Sequence, residues 1–292
     1  MATYLPTRFP LFWEELRRRM RGGRMQVVLL IYTLLLTALL FIVTQMRDIS
    51  SDPREWPAFG KGLWNIFLVA QMGIIIIISP GLTVGAISSE KEQGTLDLLL
   101  LTRMGSLSIV LGKYFGAIGQ VLFLLLAGLP IISVVFFFGG VSPWDIALGY
   151  TLTLTAGLGY SALGFFTSCR CKRVVPAVAW GYALMLLLAV LLPLVFALIC
   201  GGLGREVQCI ILATNPLASY IALMSNGDGV IDRSDKILLL ITTILTMVSI
   251  TVLVLAESTM MVRRLRGLST RFMPRLLKKP VSRQANVISS QP

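Results

Sequence analysis

The sequence contains no histidine, only four cysteines and few charged residues, which make up 14% of its 292 residues. Without histidine the chain cannot form a Ser-His-Asp triad, a Cys-His dyad, an HExxH zinc site or a histidine-ligated haem. Charged residues make up roughly a quarter of a soluble globular protein, so this composition excludes that class. Four cysteines are also too few for a disulfide scaffold. These absences exclude most kinds of catalytic site.

What the sequence has instead is long apolar runs. Hydrophobic residues make up 55% of the chain, and its mean hydropathy is +0.81. A bilayer core of about 30 Å is crossed by roughly 20 apolar residues in a helix. Six runs reach that length, and they are 27–46, 63–87, 114–138, 146–168, 174–200 and 237–261. Because none has a charged residue in its middle, the sequence predicts an all-α polytopic integral membrane protein with six transmembrane helices.

The basic residues determine the predicted orientation. The chain carries a formal net charge of +12, and 20 of its 26 Lys and Arg residues lie in the segments on one side of the predicted spans. By the positive-inside rule that side is cytoplasmic, so both termini are predicted to be cytoplasmic. The predicted organisation is an amphipathic cytoplasmic segment (1–26), a transmembrane domain (27–261) with a cytoplasmic loop at 88–113 and an external loop at 201–236, and a basic cytoplasmic tail (262–292).

The sequence places no ionisable side chain that could drive transport in the middle of the predicted spans. Transporters that are driven by protons or ions place an ionisable side chain near the midplane of the membrane, and the six runs have none there. The sequence also lacks a nucleotide-binding loop, because neither Gly60-Lys61 nor Gly112-Lys113 lies in a GxxxxGK[ST] pattern. If the protein moves a substrate, we expect the energy to come from another chain.

The cysteines give no sign of a metal centre. Cys169 and Cys171 lie in a turn on the predicted cytoplasmic side, and no further Cys or His is near enough in sequence to complete a site. We expect two free thiols there, and no metal or cofactor in this chain. Cys200 and Cys209 flank the start of the external loop. A disulfide between them in an oxidising periplasm and two free thiols are both open.

The most informative segment is the cytoplasmic loop between the second and third predicted spans. It opens with three consecutive charged residues, Glu90, Lys91 and Glu92. Gly94 follows, then Thr95, and this pair predicts a helix stop and the N-cap of a new helix. The simplest interpretation is a solvated loop whose charges keep it out of the bilayer. The alternative is an element on which a partner can push.

The second half of the same loop predicts a short helix at the membrane surface. Asp97 falls in its first turn, where a carboxylate is favourable because of the helix dipole. Leu96, Leu99 and Leu100 form one apolar stripe along it. The chain then re-enters the bilayer after Lys113.

This loop resembles that of the membrane-spanning permease subunits of type-2 ATP-binding-cassette (ABC) exporters. In that family the second span ends in Glu-(Lys/Arg)-Glu-x-Gly-Thr-(Leu)-(Asp/Glu)-Leu-Leu-Leu, and the third opens with (Ile)-Val-Leu-Gly-Lys. The matching residues here are Glu90, Lys91, Glu92, Gly94, Thr95, Leu96, Asp97, Leu98, Leu99, Leu100, Ile109, Val110, Leu111, Gly112 and Lys113. One departure is Arg103-Met104-Gly105, where the family commonly has a turn that contains proline.

The resemblance implies roles for these residues. In the family this loop holds the coupling helix that docks on the ATPase subunit. By that likeness, Glu90, Glu92 and Asp97 are expected to be acidic contacts for an ATPase chain. Gly94 and Thr95 are expected to set the break before the coupling helix.

Two further segments are similar to parts of the same family. An aromatic and basic segment before the first span is similar to the family's interfacial helix, with its rings at the lipid headgroups and its cations toward anionic lipid. Its anchoring residues are predicted to be Phe12, Trp13, Arg17, Arg18 and Arg19. The stretch 215–223 looks like the short external helix that the family carries before its last span. The basic tail directly follows a membrane span, so we expect it to meet lipid headgroups and not nucleic acid.

The resemblance implies a function that the composition alone does not give. The chain is expected to be a permease subunit in a bacterial inner membrane, forming half of an export pathway. A second permease copy or a paralogue would supply the other half, in a homodimer or heterodimer. A separate ATPase subunit would hold ATP and Mg²⁺, so this chain is not expected to be an enzyme. The alternative is a membrane-anchored docking or assembly factor that uses the same fold without transport.

Overall fold

The computed structural model describes residues 15, 17, 19, 23–46, 54–96, 100, 105–200, 215–225 and 233–277. Almost all of these residues are helical, and none of them lies in a strand. The helices are α1 (Gly23–Met46), α2 (Trp56–Glu92), α3 (Ser106–Phe138), α4 (Pro143–Arg170), α5 (Val174–Leu186), α6 (Leu192–Cys200), α7 (Pro216–Ser225) and α8 (Arg233–Leu277). A π-helical turn at Leu187–Leu191 joins α5 to α6. Phe12, Trp13, Arg18, Asp97 and Cys209 lie outside the described residues.

Six stretches of these helices are long and apolar enough to cross a membrane. α1 to α4 provide one span each, α5 with its continuation provides the fifth, and α8 provides the sixth. The predicted all-α fold with six spans is therefore confirmed. The chain is a multi-pass membrane protein, and six spans among the described residues leave the start of α1 and the end of α8 on the same side.

Several helices continue beyond the predicted apolar runs. α2 ends at Glu92 instead of residue 87, and α3 begins at Ser106 instead of residue 114. A helix satisfies its own backbone hydrogen bonds, so it can leave the lipid and continue until a residue such as glycine ends it. As a result Lys113, which the sequence placed in the loop, lies about two turns inside α3.

The centre of the bundle is the close packing of α4 against α2. Gly149, Gly157 and Gly164 follow one another along α4, and a Cβ atom on each would collide with a neighbouring helix. At Gly164 that atom would lie 2.5 Å from the carbonyl oxygen of Pro80. Thr83 of α2 also donates a hydrogen bond to the carbonyl oxygen of Ser161, at 2.8 Å. The small residues of α4 therefore let it pack tightly against α2.

The fifth span is interrupted just before Pro193. Proline has no N–H to donate, so it leaves the carbonyl oxygen of Ala189 without its usual helical partner. Asn215 donates to that oxygen from its side-chain nitrogen, at 2.5 Å. Its side-chain oxygen accepts from the backbone N–H of Leu217 at 3.0 Å, which caps the start of α7. The short helix predicted at 215–223 is therefore present as α7, and Asn215 connects it to the interrupted span.

The outer helices expose apolar side chains over most of their length. On α5, Val175 is 78% exposed and Trp180 is 63% exposed; on α1, Leu34 is 61% exposed. α8 shows the same pattern, with Leu253 67% exposed. Faces of this kind suit contact with lipid or with a second membrane chain.

Candidate functional site

The loop after α2 begins with a complete glycine C-cap. Gly94 has a φ of +70°, a conformation that side chains other than glycine rarely adopt. Its N–H donates to the carbonyl oxygen of Lys91 at 3.2 Å, and the N–H of Thr95 donates to that of Glu90 at 3.0 Å. These two bonds are the Schellman arrangement. The predicted helix stop at Gly94 is confirmed.

Replacing Gly94 by alanine is expected to destabilise the protein by about 1 kcal/mol, because alanine is strained at a positive φ. Gly85, within α2, is the matched control, since a Cβ atom there would meet nothing within 4 Å. Gly85→Ala should leave the thermal unfolding midpoint unchanged or slightly raise it. The two midpoints, measured in the same detergent, check this difference, and equal losses would argue against the cap.

Beyond Gly94 the chain turns back against the bundle. Thr95, predicted to cap a new helix, directly precedes Leu96, which is helical, and donates its hydroxyl to the carbonyl oxygen of Glu90, at 3.4 Å. Leu96 and Leu100, from the predicted apolar stripe, are 8% and 2% exposed. They belong to a cluster of buried apolar side chains with residues such as Phe165. Leu96 and Leu100 therefore pack against the ends of the helices.

The first charged residue of the loop, Glu90, forms a buried ion pair with Lys113 of α3. Lys113 is only 1% exposed, and its Nζ lies 2.6 Å from Oε1 of Glu90. The other oxygen of Glu90 is buried and has no hydrogen-bond partner among the described residues. Oε2 of Glu15 lies 4.0 Å from the same Nζ. The ammonium group therefore lies between two carboxylates in a place that water barely reaches.

The N-terminal segment continues this network. Glu15 is 5% exposed and accepts a hydrogen bond from Nε of Arg19, at 2.8 Å. Arg19 also donates to the carbonyl oxygen of Leu82 at 2.9 Å and to Oε1 of Gln120 at 3.4 Å. The structure here differs from the prediction that Arg19 faces anionic lipid. Its guanidinium group is held between α2 and α3 because it can satisfy a buried carboxylate and two polar oxygens there. Arg17 is exposed, as a lipid-facing residue would be.

Lys91 and Glu92, which follow Glu90 in the chain, contact two further helices. The Nζ of Lys91 donates to the backbone carbonyl oxygens of Ser168 and Cys171, at 3.4 and 3.2 Å, and also to that of Cys169. Those oxygens belong to the end of α4. A carboxylate oxygen of Glu92 accepts from the N–H of Val174, the first residue of α5, at 3.1 Å. A cation at a helix C-terminus and an anion at a helix N-terminus are both favourable.

The three charged residues therefore connect α2 to three other helices. Glu90 contacts α3, Lys91 contacts the end of α4 and Glu92 contacts the start of α5. We call these three residues the clamp. The exposed residues that follow it are Gln93, Gly94 and Thr95, which we call the loop tip. The likeness to the exporter family predicted that Glu90 and Glu92 contact an ATPase chain. In the structure both carboxylates have partners within this chain. Gly112, the other predicted loop residue, lies buried in α3.

The nearby cysteines contribute backbone carbonyl oxygens to the contacts of Lys91. Cys169 is buried, Cys171 is partly exposed, and both are free thiols. Among the residues that the structure describes, no group of three or more His, Cys, Asp or Glu side chains could hold a metal ion. The described part of this site consists of charged side chains, backbone ends of helices and one exposed turn.

These features define the class of protein: an all-α multi-pass membrane protein in which the residues at and after the end of α2 contact the ends of three other membrane helices. Comparison with known proteins adds no narrower assignment. No protein-family model matches the chain, and no curated protein matches it.

Proposed function

We propose that this chain is the permease subunit of an ATP-driven exporter of the type-2 ABC kind. It forms half of a translocation pathway in a bacterial inner membrane. The loop at 88–113 receives the movement of a separate ATPase subunit, which binds ATP and Mg²⁺. The observation that carries the proposal is the clamp, with the exposed loop tip directly beyond it.

The clamp gives a mechanical reason for this role. A partner that presses on the loop tip presses on the end of α2, because Gln93 directly follows the last helical residue. The ion pair with Lys113 and the contacts of Lys91 and Glu92 pass that movement to α3, α4 and α5. One contact point therefore moves the cytoplasmic ends of four spans together. This is what alternating access requires of an externally powered permease.

The membrane interior supports an external source of energy. The buried polar residues in the middle of the described spans include Gln71, Ser79, Thr153 and Ser161, and all are neutral. The buried charges, including that of Lys113, lie toward the cytoplasmic ends. Glu257 of α8 is exposed, so it is poorly placed to serve as a buried proton carrier.

The geometry also changes which residues are proposed to touch the ATPase. Glu90 and Glu92 act as positioning residues that hold the loop, since their carboxylates have partners within the chain. The loop tip makes the contact, together with Asp97 by the likeness to the exporter family. A second permease, either another copy or a paralogue, packs against the exposed apolar helix faces to complete the pathway.

The contact is tested by photo-crosslinking in membranes of the native host. Benzoylphenylalanine is incorporated at position 93 in the loop tip, the membranes are irradiated, and the adduct is probed with radiolabelled 8-azido-ATP. The control places the same crosslinker at position 61, because Lys61 is exposed at the opposite end of α2. We expect an adduct that binds the ATP analogue from position 93 and none from position 61.

Two other outcomes count against the proposal. An adduct from position 93 that does not bind the ATP analogue favours the docking or assembly factor. The absence of any adduct at position 93, with the protein intact in the membrane, contradicts a partner at the loop tip.

ATP hydrolysis that copurifies with the chain and falls when Glu92 is replaced by Lys, but not by Gln, would support the clamp as the transmitting element.

A further inference from the structure

Two cavities meet at the cytoplasmic end of α4. One has a volume of about 360 Å³ and lies between α4 and α5, where Trp180 and Leu184 line it. The other has a volume of about 310 Å³ and lies between α4 and α8, where Met260 lines it. Phe166 and Arg170 of α4 line both cavities. The two cavities are therefore neighbours separated by one aromatic ring and one guanidinium group.

The charge around these cavities is mostly positive. Arg170 lies over the ring of Phe166, with its guanidinium carbon 5.5 Å from the ring centre. Arg264 lines the cavity beside α8, as does one carboxylate, Glu257. Arg170 and Arg264 are exposed, and among the described residues neither forms an ion pair. Further cations lie close in sequence and are exposed: Lys172, Arg173 and Arg263.

We propose that these cavities form a binding site for one anionic phospholipid of the cytoplasmic leaflet. Its phosphate is held by Arg170 and Arg264, and its two acyl chains enter the two cavities on either side of Phe166. The site does not depend on the proposed transport function, because its evidence is the cavities and their charge alone.

The position of the site fits a lipid better than a soluble anion. Arg170 is the last residue of α4, and Trp180 is six residues into α5 with 63% of its surface exposed. Tryptophan at this depth is typical of the headgroup region of a bilayer. Basic pockets between membrane helices on the cytoplasmic side are suited to anionic headgroups. The apolar walls below the two arginines suit acyl chains, which a free phosphate does not have.

Native mass spectrometry of the delipidated protein tests the site, with added phosphatidylglycerol or phosphatidylcholine of identical acyl chains. The test variant is Arg170→Gln with Arg264→Gln. The matched control is Lys172→Gln with Arg263→Gln, which removes the same charge from the same end of the molecule but leaves the cavity walls unchanged. We expect the test variant to weaken binding of phosphatidylglycerol on the order of tenfold. The control should change it by less than about twofold, and binding of phosphatidylcholine should not change in either.

A second measurement, of tryptophan fluorescence, keeps both Arg170 and Arg264. Brominated phosphatidylglycerol should quench tryptophan fluorescence more than brominated phosphatidylcholine, and Trp180→Phe should remove the difference. Equal quenching by the two lipids would overturn the proposal. So would an equal loss of phosphatidylglycerol binding in the test and control variants, because that result indicates diffuse attraction to the whole basic surface.

Discussion

Replacing Lys113 by glutamine is expected to destabilise the protein by about 3–5 kcal/mol. The ammonium group lies 2.6 Å from a carboxylate oxygen of Glu90 and 4.0 Å from one of Glu15. Without it, the carboxylate of Glu90 stays buried with no cation, and its second oxygen has no partner among the described residues. The thermal unfolding midpoint in detergent should fall on the order of 10 °C.

The matched control removes both charges of the pair. In Glu90→Gln with Lys113→Gln, two neutral side chains face each other and Glu15 keeps its partner Arg19. Removing both members of a buried pair lowers stability less than removing one. The double variant should therefore regain more than half of the decrease in unfolding midpoint that Lys113→Gln causes. The unfolding midpoint of Glu90→Gln alone should lie between those of Lys113→Gln and the double variant, because Lys113 still has Glu15 nearby.

This set of variants forms a double-mutant cycle. If the two single losses simply add in the double variant, the residues are not coupled and the ion pair is not an element of the site. Retention of the protein in the membrane, measured by fractionation, separates loss of stability from loss of expression. A stable double variant also serves the crosslinking experiment, since it retains the loop tip.

Replacing Gly164 by alanine is the second substitution with a large expected effect. The added Cβ atom would lie 2.5 Å from the carbonyl oxygen and 2.8 Å from the Cα of Pro80, and neither atom belongs to a flexible side chain. α4 would have to move away from α2, which loosens the main helix contact of the bundle. We expect a loss of about 1–3 kcal/mol.

Gly73 of α2 provides the control for this substitution. A Cβ atom at Gly73 meets nothing within 4 Å, so Gly73→Ala should keep or slightly raise the unfolding midpoint. Limited trypsin digestion gives an independent measurement, because a loosened bundle is cut faster. Equal stability of the two variants would show that α2 and α4 are not in close contact at Pro80.

The sequence predicted the parts of this molecule that depend on local pattern. The six spans follow from apolar length, and the end of α2 follows from Gly94, because only glycine adopts its φ without strain. The start of α7 agrees with Asn215 and Pro216, which are favoured at a helix start, although the helix itself was predicted from the family likeness. Each of these signals lies within a few residues of the feature that it predicts.

The contacts of the clamp could not be predicted in the same way. Lys113 lies 23 residues after Glu90, and Arg19 lies 101 residues before Gln120. The periodic pattern of apolar residues does not show which distant residues contact each other. One signal was present, because a lysine next to Tyr114 and other apolar residues must find a partner once its helix is extended. Glu15 and Arg19 are also four residues apart, the spacing of an ion pair on one helix face.

The clamp has a consequence for how α2 can move. Successive residues on a helix point about 100° apart, so three in a row point in three directions around the helix axis. Glu90, Lys91 and Glu92 use those directions to hold α3, α4 and α5. α2 therefore cannot turn about its own axis without breaking all three contacts at once. Tilting or sliding, with the three neighbouring helix ends carried along, is the motion that this end of the molecule permits.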